Sequence, residues 1–188
     1  MGELALHILD IVQNSISADA DLIIVSIVIN DKYIAIEIAD NGCGMDEQEQ
    51  IDVLSPFCTS RSTRKVGLGI PMLKECCDNC NGEFELTSKI GEGTKIYASF
   101  EINHIDRPPL GNIAETMMAL ITCNVDRDFI FKFRAKGEEY NLSTIEIKQV
   151  LAGVPINNLE VASFIEGSIN EGINRIYKED ILWKHFKN

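Results

Sequence analysis

Asp40-Asn41-Gly42-Cys43-Gly44-Met45 closes an apolar run, Tyr33 to Ala39, and turns sharply at two glycines. Residues 21–30 and 33–39 are rich in Ile and Val and are separated by Asn30-Asp31-Lys32. This pattern predicts a β-hairpin with one buried face. The hexapeptide therefore sits at a strand end, where a carboxylate is displayed beside two residues that lack a Cβ.

Upstream, residues 3–18 repeat at helical spacing. Leu4, Ile8, Val12 and Ile16 form one apolar stripe, widened by Ala5, Leu9 and Ile11. Glu3, His7, Asp10 and Asn14 form a polar stripe on the same predicted helix. Downstream, the acidic stretch Asp46 to Asp52 predicts a short helix, and the hydroxyl-rich stretch Ser55 to Lys65 predicts a mobile loop carrying Arg61, Arg64 and Lys65. Gly67-Leu68-Gly69 then opens a helix over 70–81, with Pro71 in the first turn, where its missing N–H costs nothing. Two further strands are expected at 83–88 and 94–102, joined by Lys89-Ile90-Gly91-Glu92-Gly93.

Pro108-Pro109 interrupts any regular element and marks a boundary near 103–109. Beyond it the pattern predicts a helix at 111–122, a hairpin at 128–142 and a helix opened by Ser143-x-x-Glu146, a capping-box pattern. A long amphipathic helix follows Gly153-Val154-Pro155, with Val161, Ile165, Ile169 and Ile173 in one stripe. That stripe can dock on the rest of the chain, pair with a second copy as a homodimer, or meet another protein.

The 188 residues are 45% hydrophobic and 24% charged, which suits one good core, or one core with a smaller appendage. The formal net charge of −12 repels phosphate backbones and anionic lipid, so neither nucleic acid nor membrane is expected as a partner. The sequence contains no apolar run of about 18 residues, and Met1-Gly2-Glu3 lacks the basic start of a signal peptide. A cytoplasmic location is the expectation. Cys77-Asp78-Asn79-Cys80, with Cys76 beside it, has no second ligand pair in the sequence, which favours thiols packed on a helix over a zinc or redox site.

No G-x-x-x-x-G-K-[ST] is present, which excludes a P-loop. Three G-x-G pairs occur, at Gly42/Gly44, Gly67/Gly69 and Gly91/Gly93, and no one pair is diagnostic. Their order is more telling. Asp10 to Ala20, with an acid and then Asn14 one turn later, resembles the N box of the GHKL ATPase and histidine-kinase superfamily, and Asp40 to Met45 resembles its D-x-G-x-G box. Pro56-Phe57-Cys58-Thr59 with Gly67-Leu68-Gly69-Ile70 resembles the P-F-x-T and G-L-G-L boxes of sensor histidine kinases. Asn81-Gly82, Ser88 and Gly91-Glu92-Gly93-Thr94 resemble their closing pattern.

The resemblance implies an α+β fold over residues 1–103, a two-layer α/β sandwich with a mostly antiparallel sheet, followed by a small α+β extension over 104–188. It implies ATP and Mg2+ as ligands. Asn14 would supply a hard oxygen to the metal, Asp40 would accept from the adenine amino group, and Gly42, Gly44 and Met45 would let the backbone approach the ring. Gly67, Leu68 and Gly69 would offer N–H groups to phosphate at a helix start, and Thr94 would hold a water against adenine. Arg61, Arg64 and Lys65 suit a lid over the triphosphate, with a solvated loop as the alternative.

Asp10 stands where the hydrolysing branches carry a glutamate, so it is the candidate catalytic base, one methylene shorter; organising Mg2+ and its waters is the alternative role. The phosphoacceptor module of sensor kinases is not found ahead of the N box. His104-Ile105-Asp106-Arg107-Pro108-Pro109-Leu110 resembles the acceptor box but follows the ATP-binding region, and its prolines break the helix an acceptor needs. His7 and His185 have less to recommend them. Stand-alone anti-sigma-type kinases are also similar, though they carry glutamate in the N box. Two functions are thus expected as alternatives: a kinase transferring phosphoryl from ATP to a partner protein, or an ATP-dependent switch with slow hydrolysis.

Overall fold

The structure, a computed structural model, describes residues 2–55 and 68–178. Pro56, Phe57, Cys58, Thr59, Arg61, Arg64, Lys65, Gly67 and His185 lie outside the described residues. The elements run α1 (Leu4–Ser17), β1 (Leu22–Ile29), β2 (Tyr33–Asp40), α2 (Glu47–Val53), α3 (Gly69–Asn79), β3 (Phe84–Lys89), β4 (Gly93–Glu101), α4 (Ile113–Cys123), β5 (Asp128–Ala135), β6 (Glu138–Ser143), α5 (Thr144–Leu151) and α6 (Leu159–Ile176).

One six-stranded sheet, in the order β3-β4-β2-β1-β5-β6, forms one layer. Alternation of apolar and polar residues sets its two faces. A single row, Leu86–Ile96–Ile38–Val25–Phe131–Leu142, crosses all six strands on the helix-covered face. Val25 and Phe131 at its centre are fully buried, and each such side chain contributes about 1.5–3 kcal/mol over an exposed one. The adjacent row, Glu85–Tyr97–Glu37–Ser26–Lys132–Asn141, lies on the opposite face and is polar. Helices α1, α3, α4 and α6 form the second layer, with α1 against both α3 and α4, and α4 against α6.

The sheet is mixed rather than wholly antiparallel. β1 pairs with β2 antiparallel and with β5 parallel, the latter over Leu22–Ile29 against Asp128–Ala135. The residues after 104 thus extend the same sheet by two strands. A parallel neighbour needs a crossover rather than a tight turn, and α4 lies in the connection that returns the chain beside β1. The apolar stripe of α6 docks inside the chain: Ile165, Ile169 and Ile176 are buried, and Gly172 sits so close to Tyr140 that a Cβ there would lie 2.2 Å from its ring.

The Ser143-x-x-Glu146 capping box does not form, since Ser143 makes no side-chain cap bond. Its extended backbone, φ −123° and ψ 121°, and its pairing with Ile130 keep it in β6. Thr144 acts instead. It is buried, its Oγ1 accepts from the Phe129 N–H at 2.8 Å, and its hydroxyl donates to Asp128 at 3.1 Å.

Candidate nucleotide site

Asp10 and Asn14 lie one turn apart on α1 because the buried stripe, Leu4, Ala5, Ile8, Ile11, Val12 and Ser15, leaves them on its margin. Asp10 is exposed and Asn14 half-buried. The Asp10 side chain meets the start of α3: a Cβ on Gly69 would lie 2.9 Å from Asp10 Cβ and 3.7 Å from its Oδ2. Glycine at 69 lets the two helices touch there. His7, one turn before Asp10, is pushed below its ordinary value by burial, against the pull of the Asp10 charge.

Asn14 Nδ2 is buried and, among the described residues, has no hydrogen-bond partner in the chain. Leaving such a group unsatisfied costs about 1–3 kcal/mol, so a buried orphan calls for an explanation. A buried amide N–H2 that no described residue accepts, on a half-buried residue of α1, fits a donor that meets an oxygen of a ligand.

Asp40 ends β2 and is held from three sides. Ser15 Oγ donates to its Oδ2 at 2.6 Å, and the Gly42 and Thr94 N–H groups donate to its Oδ1 at 2.9 and 3.2 Å. A carboxylate has about four acceptor positions. Both positions on Oδ1 are filled, and among the described residues one on Oδ2 is left for a further donor.

The loop after Asp40 owes its course to close backbone packing. A Cβ on Gly42 would lie 2.7 Å from Ala18 O, and one on Gly44, whose φ is +65°, would lie 1.9 Å from Lys89 O. These contacts show that the two glycines seat the loop on its neighbours. The Cys43 N–H donates to Ala18 O at 2.9 Å and the Gly91 N–H to Cys43 O at 2.8 Å. The Met45 N–H donates to Ser88 Oγ at 2.8 Å, Ser88 donates to Gly93 O at 2.9 Å, and its hydroxyl lies 2.8 Å from Thr94 Oγ1. Strand register sets Thr94 opposite both Asp40 and Ser88.

The structure therefore brings Asn14, Asp40, Gly42, Gly44, Met45 and Thr94 to one end of the sheet, with Asp10 and Gly69 meeting at the α1–α3 contact beside it. Leu68 is the exposed residue preceding α3 and makes no side-chain cap. Sequence reasoning missed Ser15. Its signal was a hydroxyl in an otherwise apolar stripe, 3% exposed and so in need of a partner.

Two other sequence candidates lie elsewhere. His104 sits in the non-helical connection between β4 and α4, where its Nδ1 accepts from the Asp106 N–H at 3.2 Å. Cys77 and Cys80 are fully buried, and burial pushes the Cys77 thiol up to about 12, so it stays a protonated apolar filler at neutral pH. No helix among the described residues is long and apolar enough to cross a membrane.

A protein-family model described as "histidine kinase-, DNA gyrase B-, and HSP90-like ATPase" matches residues 3–104. A sensor protein of Shewanella frigidimarina is 29% identical over 94 residues, which cover 50% of this chain and 14% of that relative. Sensor histidine kinase YxdK of Bacillus subtilis is 32% identical over 69 residues, covering 35% of this chain and 21% of that protein. The matched stretch is thus a small part of either relative.

Proposed function

Because the chain belongs to the histidine kinase-, DNA gyrase B- and HSP90-like ATPases, we propose that it binds ATP with Mg2+ at the Asp40 end of its sheet and passes the γ-phosphoryl group to a partner protein. The observation that carries the reading is the Asp40 knot. Three chain donors fix the carboxylate and leave it one acceptor position on Oδ2, which suits a single N–H of the adenine amino group. Thr94 and Ser88, joined hydroxyl to hydroxyl, can hold a water beside the same ring edge.

Asn14 is the residue that would hold Mg2+. Its Oδ1 would be the ligand, since an amide oxygen is hard and Mg2+ takes few protein ligands beside waters and phosphates, while the unpartnered Nδ2 would be left to donate to a phosphate oxygen. Held there, Mg2+ would supply neutralisation of charge on the phosphates. The start of α3, which Gly69 brings against Asp10, would offer its free N–H groups to phosphate, and the helix dipole favours negative charge there. Asp10, exposed beside it, can take the proton of an attacking hydroxyl.

A second reading is a nucleotide-dependent switch with slow turnover. The contact of Asp10 with Gly69 favours it, because a side chain of α1 that meets the start of α3 can report the spacing of the two helices. Incubating the full chain with labelled ATP and cell extract separates the readings. A labelled partner protein supports transfer, while nucleotide-dependent capture without label supports the switch. For transfer, Asp10→Asn should lower turnover by about a hundredfold or more while ADP affinity stays within about twofold. Unchanged turnover removes Asp10 from its role.

A further inference from the structure

Arg127 lies beyond the segment matched by the family, in the turn joining α4 to β5. Its guanidinium nevertheless reaches back more than a hundred residues in sequence to the turn between α1 and β1. Nη1 donates to Ala20 O at 2.9 Å, and Nη2 donates to Asp19 Oδ1 at 2.6 Å. A longer contact, 3.4 Å, runs from Nη1 to Asp21.

That turn supports the nucleotide loop. Ala18 O accepts the Cys43 N–H at 2.9 Å, and Gly42 lacks the Cβ that would collide with the same oxygen. Asn41 Oδ1 accepts from both the Asp21 and Leu22 N–H groups at 2.9 Å. Asp19 holds a left-handed backbone, φ +59°, a conformation aspartate tolerates but does not prefer. The two carboxylates are largely exposed, so their charge pairing is weak in water. The bond to Ala20 O is the stronger restraint, because a planar fork fixes direction as well as distance.

We propose that Arg127 is a positioning residue for nucleotide binding, through which the extension after residue 104 sets the Asp40–Met45 loop. It touches no nucleotide. It holds the 18–21 turn, and the turn holds Cys43 and Asn41 on either side of Gly42. Lys148 of α5 donates to Arg127 O at 2.8 Å, so whatever moves α5 bears on the same tie. The inference rests on the nucleotide reading above.

The test uses the full chain, ADP with Mg2+ as the titrant, and Arg127→Met, which keeps the stem and removes the fork. Calorimetry should show affinity lowered roughly five- to tenfold. Hydrogen exchange should speed at the Cys43 amide while β5 and β6 keep their protection. Arg127→Lys, which keeps charge without the fork, should give a smaller loss of the same sign. If Arg127→Met loses protection throughout β5 and β6, Arg127→Lys alone decides. Parental affinity and parental Cys43 exchange in the deciding variant overturn the proposal, and so does an affinity loss without faster Cys43 exchange. Failure of the parent chain to bind ADP sinks the nucleotide reading instead.

Discussion

Ser15 and Asp40, twenty-five residues apart, are joined by a 2.6 Å hydrogen bond that ties the core face of α1 to the end of β2. The bond fixes which way the carboxylate faces and so which acceptor position is left over. Ser15→Ala should cost about 1–2 kcal/mol in denaturant unfolding, the price of a lost charge-assisted bond. ADP affinity should fall by roughly threefold or more as Asp40 loses its orientation.

Asn14 sets stability against binding. Its Nδ2 is buried without a partner, so Asn14→Ala removes a destabilising orphan and introduces a better helix former. The variant should gain about 1 kcal/mol, or roughly 2–4 °C in thermal unfolding for a chain of this size. The Mg2+-dependent part of nucleotide affinity should vanish. A destabilised variant with intact Mg2+ dependence would refute the assignment.

Glycines 44 and 91 both have positive φ, +65° and +76°, but only one is hemmed in. A Cβ at 44 would overlap Lys89 O, whereas nothing lies within 4 Å of one at 91. Gly91→Ala should cost about 1 kcal/mol from backbone conformation alone. Gly44→Ala should cost at least about 3 kcal/mol and eliminate ADP binding. Chemical denaturation of the pair, side by side, checks both.

The thiols give a prediction on pH. Cys76 and Cys77 are each pushed from an ordinary value of 9.0 up to about 12, chiefly by burial. Since the folded values are raised, this contribution is full below pH 9 and is lost as pH rises through about 12. Unfolding free energy should therefore decline between those limits. In peptide mapping of the native chain after alkylation at pH 8, exposed Cys123 should label and buried Cys77 should not.

The elements, and most residues of the candidate site, were legible because their signals are local. Asp10 and Asn14 are one turn apart, Asp40 follows its own strand, and each glycine lies within a few residues of the element it serves. What escaped was set by partners remote in sequence. Ser15 needs Asp40 before its hydroxyl makes sense. Arg127 reads as an ordinary surface charge until the fold returns it to Ala20. Parallel pairing of β1 with β5 leaves no turn to read, and at Ser143 strand pairing overrode a valid helix-start pattern.

The parallel seam between β1 and β5 bears on how this protein can be dissected. Seven of the eight residues in Leu22–Ile29 are aliphatic, and one whole flank of that strand is satisfied only by Asp128–Ala135. Trimming the chain to its family-matched portion would bare a long, flat, greasy border with unmet N–H and C=O groups, the sort of margin on which foreign strands accrete. Insolubility of such a fragment would reflect a missing neighbour in the sheet rather than any fault in the nucleotide fold.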